Sequence, residues 1–203
     1  MIVAAIFLSL QKRKQVIFIV IGMTVCLLSS YISTFLTLCY GADKVSASLG
    51  LAPMVEEIMK LFPVLFYILV FDPKKDEAVE SSLIIAVGFA TFENVCYLIT
   101  NDASNILHLL IRGFGTGAMH VVTGLLVAFG LYFLWDRPFI KVVGTIVLVC
   151  MTSFFHSIYN ILVSQTGLAA IIGYCIPMAM ATIFVVFKKK ILNLSELFDA
   201  EYK

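Results

Sequence analysis

Residues 53–60 read Pro-Met-Val-Glu-Glu-Ile-Met-Lys and lie inside an otherwise apolar run from 47 to 71. Glu56, Glu57 and Lys60 therefore fall in a segment long enough to cross a bilayer, which takes about 20 residues. A charged side chain at mid-bilayer costs about 2.5–3.5 kcal/mol on insertion scales. Charges placed at such a cost predict a functional site within a membrane protein.

The whole chain has the composition of an integral membrane protein. Its 203 residues are 61% hydrophobic and 13% charged, whereas soluble domains have about 45–50% apolar and about 25% charged residues. The net charge of +1 gives no electrostatic support to a nucleic-acid partner. The five cysteines show no metal-ligand spacing and are interpreted as small hydrophobic residues. We expect one membrane domain over residues 1–203, with its motifs between about 47 and 163.

Apolar stretches of the required length predict an all-α, polytopic transmembrane helix bundle. Six qualify as full spans, at 16–40, 47–71, 79–100, 106–134, 140–163 and 167–187. Residues 1–10 are apolar but cover only about half a bilayer. They lack the basic start and the cleavage site of a signal peptide. The sequence leaves three interpretations of these residues open: an interfacial segment, a short tilted span, or the stub of a longer helix.

The basic residues predict the orientation of this bundle. One set of loops carries residues 12–14, 74–75, Arg137 with Lys141, and 188–190, whereas the other set carries only Lys44. Basic loops stay in the cytoplasm, so we expect the C-terminus to be cytoplasmic.

Three further apolar stretches carry polar motifs. These are Glu93-Asn94, Arg112 followed by His120, and His156 followed by Asn160. Counted along their helices, Glu57 lies about 15 Å, and Glu93 and His156 about 10 Å, from the outer ends of their spans. These depths predict one site in the outer half of the bilayer, where four helices of a bundle converge.

Several local features allow more than one interpretation. Lys60 follows Glu56 by four residues, which favours a pair on one helix face. Pro53 predicts that a helix begins there after a break, so that its N-terminus favours the nearby carboxylates. Arg112 could reach outward to the interface or inward to a carboxylate. The glycines at 113, 115 and 117 are predicted to be close-packing positions.

Buried carboxylates and imidazoles are suited to hydrolysis of an amide bond. A carboxylate can take a proton from water and return it to the leaving amine, while imidazole and guanidinium groups stabilise the oxyanion. Two histidines and a glutamate could instead hold zinc. Because no HExxH motif is present, the sequence favours a site without a catalytic metal. If a metal is bound, Glu93, His120 and His156 are its expected ligands. No G-x-S-x-G motif supports a serine nucleophile.

At these positions the chain resembles the PrsW intramembrane proteases, distant relatives of CAAX prenyl endopeptidases and bacteriocin-immunity membrane proteins. The similarity runs from about 53 to 162 and rests on four motifs in order: Glu56-Glu57-x-x-Lys60, Gly88-Phe89-Ala90-Thr91-Phe92-Glu93-Asn94, Arg112 with His120, and His156-x-x-Tyr159-Asn160. The resemblance implies that a bacterial plasma-membrane protease makes the first cut in a membrane-anchored anti-sigma factor. Some members carry Asp where this chain has Asn160, which implies an orienting role for Asn160.

The expected function is therefore a glutamate-dependent intramembrane endopeptidase that acts on a single-span membrane protein. Glu57 or Glu56 would be the general base, and the sequence does not decide between them. The expected catalytic residues are Glu56, Glu57, Glu93, His120 and His156, and the expected supporting residues are Lys60, Asn94, Arg112 and Asn160. The alternatives are a prenyl-protein or immunity-type peptidase and a proton- or cation-coupled carrier. No internal repeat of the carrier kind is found.

Overall fold

The computed structural model describes residues 10–100, 106–134 and 138–201, and every regular element in these ranges is helical. The elements are α1 (Leu10–Tyr40), α2 (Lys44–Ser46), a π-helical turn (Ala47–Leu51), α3 (Ala52–Phe71), α4 (Lys75–Thr100), α5 (Ile106–Leu134), α6 (Pro138–Val163) and α7 (Leu168–Glu201). The predicted N-terminal apolar segment lies almost entirely outside the described residues. Helix α7 continues well beyond the predicted end of its apolar stretch at 187.

Helices α1, α3 and α4 pack together in alternating directions. Lys14 at the start of α1 pairs with Glu77 at the start of α4, and Cys26 packs with Phe89 further along both helices. These two helices are therefore parallel. Tyr67, near the end of α3, contacts Lys14 at 3.3 Å. Helix α3 packs against this pair and runs in the opposite direction.

The alternation continues through the remaining helices. Arg112 near the start of α5 meets Glu93 near the end of α4. Further along α5, the carbonyl of Gly124 accepts a hydrogen bond from Ser82 near the start of α4. The contacts that extend the pattern are Thr116–Tyr159, Leu148–Gly130, Leu162–Gly173 and Phe129–Phe184. The described ranges thus contain six long helices that lie side by side, each running opposite to the one before it.

Among the described residues, the stretches long and apolar enough to cross a membrane number four: Arg13–Tyr40, Asp76–Thr100, Leu110–Leu131 and Ile140–Val163. The apolar stretch Leu168–Phe184 is shorter. Helix α3 has 20 residues, but Glu56, Glu57 and Lys60 lower its apolar character. The predicted all-helical membrane bundle is confirmed, whereas six full spans are not confirmed.

Glycines allow α1 and α4 to approach backbone to backbone. A β-carbon on Gly22 would collide with the carbonyl oxygen of Ile85, and one on Gly88 would collide with that of Ile19. Such approaches are typical of small residues at helix interfaces in membranes. In α5, the close-packing prediction holds for Gly115, where a β-carbon would meet the ring of Tyr174. A β-carbon on Gly113 or Gly117 would meet no other described residue within 4 Å, so the prediction is wrong for these two.

The chain enters α3 without a free helix end. The side chain of Asp43 caps α2 by accepting hydrogen bonds from the backbone amides of Val45 and Ser46. Helical backbone then continues through the π-helical turn into α3, with Pro53 in the first turn of α3. The predicted start of α3 near Pro53 is confirmed. The expected stabilisation of Glu56 and Glu57 by a helix N-terminus is wrong, because the preceding residues are helical and occupy that end.

Candidate active site

Glu57 lies at the centre of a buried polar network. One of its oxygens, Oε1, accepts a hydrogen bond from Lys60 Nζ at 2.7 Å and another from His156 Nδ1 at 2.9 Å. The Glu57 side chain is only 1% exposed, so it has no open path to a substrate. Lys60 therefore pairs with Glu57, three residues away, and the sequence prediction of a pair with Glu56 is wrong. Both spacings lie on one helix face, and the packing of α6 against α3 decides between them.

The contact with Glu57 fixes the tautomer of His156. A carboxylate can only accept hydrogen bonds, so the proton is on Nδ1 and the lone pair is on Nε2. That nitrogen lies 3.8 Å from Glu56 Oε2, and this oxygen is buried without a hydrogen-bond partner among the described residues. Glu56 and His156 thus present an unused carboxylate oxygen and an unused imidazole nitrogen to each other.

His120 is fully buried between two other charged groups. Its Nδ1 lies 3.2 Å from Lys60 Nζ, and its Nε2 contacts Glu93 Oε2. An ammonium group can only donate, so Nδ1 accepts from Lys60 and Nε2 donates to Glu93. Lys60 also donates to Thr123 Oγ1 at 3.0 Å. A metal at His120 would have to replace one of its two ring contacts.

Arg112 points inward and not toward the interface. Its Nη2 lies 3.3 Å from Glu93 Oε1, and its Nη1 donates to Asn94 Oδ1 at 2.8 Å. The guanidinium carbon is also 3.6 Å from the ring centroid of Tyr97, a cation–π geometry. Arg112, itself hydrogen-bonded to Asn94, therefore holds Glu93 in place from the α5 side, which resolves the alternatives left open by the sequence.

Asn160 lies outside this network. Its side-chain amide donates to the carbonyl of Ser48 at 3.1 Å and so ties α6 to the π-helical turn. Ser48 belongs to the segment that leads into Glu56 and Glu57. The contact fits an orienting role for Asn160.

Three of the predicted site residues could hold a metal ion together. Glu56, His120 and His156 each offer one ligand atom, and these atoms lie within 4.8 Å of one another. A carboxylate with two imidazoles is a common donor set of catalytic zinc. The unpartnered oxygen of Glu56 also fits a missing ligand. The group contains Glu56 in place of Glu93, which the sequence had favoured as the carboxylate ligand.

A cavity of about 500 Å³ reaches Glu56 of this group, and we call it the hydroxyl cleft. Glu56 and Glu93 lie in its wall, together with Ser30, Ser33, Thr34 and Thr37 of α1. The four hydroxyl residues recur at the spacing of one helix face. Sequence reasoning missed them, although this spacing was a signal that could have found them.

A larger apolar groove of about 950 Å³ lies between α3 and α6. It is lined by side chains such as Ile58, Leu65 and Val149, and by none of the predicted catalytic residues. Its apolar wall suits lipid chains as well as protein. The hydroxyl cleft, and not this groove, gives access to the charged site.

Comparison with known proteins bears on this site directly. No curated protein and no solved structure matches the chain. The family described as PrsW family intramembrane metalloprotease matches residues 11–188, which is most of the chain and includes every predicted site residue. The description as a metalloprotease is compatible with a metal held by the cluster of Glu56, His120 and His156. The chain belongs to the PrsW family of intramembrane proteases and is a membrane-embedded peptidase.

Proposed function

We propose that this protein is a zinc-dependent endopeptidase whose metal ligands are Glu56, His120 and His156. The observation that carries the proposal is the convergence of these three side chains beside a cleft that a substrate can enter. Bound zinc would act as a Lewis acid and would lower the pKa of a bound water. The remaining roles belong to the side chains around the three ligands.

Glu57 and Lys60 position the histidines. Glu57 holds the Nδ1 proton of His156 and so turns Nε2 toward Glu56. Partners of this kind fix the ring orientation of metal-binding histidines. Lys60 bridges Glu57 and His120, which compensates the negative charge of Glu57 within the apolar bundle. We therefore assign Glu57 to orientation and not to proton transfer.

Glu93 is the general base in this proposal. Like Glu56 it lies in the wall of the cleft, but it is not one of the three grouped ligands. Its carboxylate would take a proton from the attacking water and deliver it to the leaving amine. Arg112 lies beside Glu93 and adds a positive charge, which would stabilise the oxyanion of the tetrahedral intermediate.

The substrate in this proposal is a single-span membrane protein, of the anti-sigma factor type that the resemblance implies. The active site lies toward the end of the bundle that carries Lys44. The other end carries most of the basic loop residues, including Arg13, Lys14 and Lys74. Basic loops stay cytoplasmic, so the first cut would fall in the outer half of a bacterial plasma membrane and the C-terminus would be inside.

The test is cleavage of a reconstituted single-span substrate together with the zinc content of the purified protein. We expect one zinc per chain, activity lost on chelation and restored by zinc, and Glu56→Gln to lose both metal and cleavage. Asp76→Asn is the matched control, since Asp76 is an exposed acidic residue of α4 remote from the site. Full activity without metal would overturn the zinc assignment.

Ion movement across the vesicles and cleavage of prenylated and unprenylated substrates separate the rival functions. A carrier would move protons or cations across vesicles without cutting the substrate. A CAAX-type peptidase would cut only a substrate that carries a C-terminal prenyl group. Glu93→Gln should keep zinc but lower the cleavage rate by about 10²–10⁴-fold, the usual effect of losing a general base.

A further inference from the structure

The hydroxyl cleft has features that the catalytic cluster does not use. Ser33 is 9% exposed, and its Oγ has no hydrogen-bond partner among the described residues. The hydroxyls of Thr34 and Thr37 donate to the carbonyls of Ser30 and Ser33, at 2.8 Å and 2.7 Å. Their oxygens can still accept a hydrogen bond. One wall of the cleft therefore carries an unused donor at Ser33 and unused acceptors beside it.

These groups match the needs of an unwound polypeptide. A peptide bond inside a helix is shielded by neighbouring turns, so a helical substrate has to open locally to be cut. Each backbone N–H and C=O freed in this way lacks water in the bilayer and needs a partner from the protein. Hydroxyl groups can both donate to carbonyls and accept from amides.

The dimensions of the cleft also suit a short extended segment. Its wall on α1 runs from Cys26 to Leu38, a rise of about 18 Å along the helix. An extended peptide covers about 3.3 Å per residue, so five or so residues fit along it. The cavity volume of about 500 Å³ falls within the range of about 300–1,000 Å³ that is usual for ligand sites.

We propose that the hydroxyl cleft binds the substrate as an extended, unwound segment, and that Ser33 is a positioning residue that donates to a backbone carbonyl of this segment. The inference rests on the proposed function and deepens it, because it names the conformation in which the substrate reaches Glu56 and Glu93. Glu56 and Glu93 then face the same peptide from the inner end of the cleft.

Cross-linking tests the binding without requiring catalysis. The full chain carries Glu93→Gln, which should keep zinc but cleave slowly, has its native cysteines replaced, and receives Ser33→Cys. The probe is a synthetic single-span Leu-Ala peptide with a central Gly-Pro break and one cysteine next to the break. Tyr31→Cys is the matched control, because Tyr31 is 69% exposed on the outer face of the same helix.

We expect a disulfide to the peptide from Ser33→Cys and only background from Tyr31→Cys. Equal cross-linking from both positions, or none from Ser33→Cys, would overturn the proposed binding of substrate in the cleft, whether or not the peptide is cleaved. Cross-linking from Ser33→Cys with no cleavage by the intact enzyme would instead overturn the proposed function and leave the binding site standing.

Kinetics test the role of Ser33 itself. Ser33→Ala should raise KM about threefold to tenfold, the effect of one lost neutral hydrogen bond, with kcat and zinc content unchanged, and Ser33→Thr should restore KM. Thr24→Ala is the control, since Thr24 is an exposed α1 residue whose hydroxyl donates to its own helix. An unchanged KM in Ser33→Ala would remove Ser33 from the proposal.

Discussion

At the scale of single residues, two adjacent glutamates have different surroundings. Glu57 accepts hydrogen bonds from Lys60 and His156, whereas the Oε2 atom of Glu56 has no partner among the described residues. Adjacent residues on a helix point about 100° apart, so one can face the bundle interior and the other a cleft. This separation allows one carboxylate to support the structure while its neighbour takes part in chemistry.

The pairing of Lys60 with Glu57 predicts a specific pattern of stability. Lys60→Met should lower the free energy of unfolding by about 3–5 kcal/mol, because it leaves a buried carboxylate unpaired. The double variant Lys60→Met with Glu57→Gln should recover much of this loss, since it removes both charges. Thermal unfolding in detergent measures both.

The appropriate control for this pair is Lys44→Met, which changes an exposed lysine outside the long helices. It should leave the unfolding temperature unchanged. A double variant less stable than Lys60→Met alone would show that Lys60 does not act through Glu57.

At the scale of helices, the close approach of α1 and α4 determines where the site is assembled. Gly22 and Gly88 let the two backbones touch, and Phe89, the next residue after Gly88, packs against Cys26 on one side and His120 on the other. Since Glu93 follows Phe89 by one helical turn on the same face, the glycine contact also places this carboxylate.

A methyl group at this contact should therefore be destabilising. Gly88→Ala should lower the free energy of unfolding by about 1–3 kcal/mol, the usual cost of overpacking, because the colliding atom is a backbone oxygen that cannot turn away. Activity should fall with it, as Glu93 shifts.

Gly113→Ala gives the contrast within the same bundle. A β-carbon there meets none of the residues that the structure describes within 4 Å, and alanine favours a helix by about 0.5–1 kcal/mol over glycine. We expect unfolding temperatures that move in opposite directions for the two variants. A stabilised Gly88→Ala protein would contradict the close approach.

At the scale of the molecule, the alternating helix directions bear on how often the chain crosses the membrane. Within the part of the chain that the structure describes, four stretches pass on length and apolar character. Helix α3, however, runs from the end of the bundle near Ser48 to the end near Lys14. A helix that connects both ends of the bundle is expected to cross the bilayer with its neighbours, and its charges are tolerated because they are buried against other helices.

Single-cysteine labelling in intact cells shows whether α3 crosses the membrane. In a chain without its native cysteines, Lys44→Cys and Ser164→Cys should react with an impermeant maleimide from outside, and Lys74→Cys only after the membrane is opened. The reason is that α3 is the long helix between Lys44 and Lys74, so these two residues lie on opposite sides of the membrane only if α3 crosses it. Labelling of Lys44→Cys and Lys74→Cys from the same side would show that α3 does not cross.

The sequence by itself determined the all-helical membrane character, the four motif-bearing helices and the family of this protein. These properties follow from local hydropathy, residue type and spacing along one chain. The roles of side chains within the motifs did not follow from it. Lys60 lies within reach of both Glu56 and Glu57 along its helix, and Arg112 could point either way. The spacing of the α1 hydroxyls indicates a shared helix face, but not which helices that face meets.

Only the tertiary structure decided these points, because each depends on a group supplied by another helix. His156 of α6 engages Glu57 and leaves Glu56 unused, Glu93 of α4 draws Arg112 inward, and packing of α1 over Glu56 and Glu93 creates the cleft. In a bilayer the free energy of burying a charge or a hydroxyl is set by the partner it meets. That partner is fixed by helix packing and not by neighbours in the sequence.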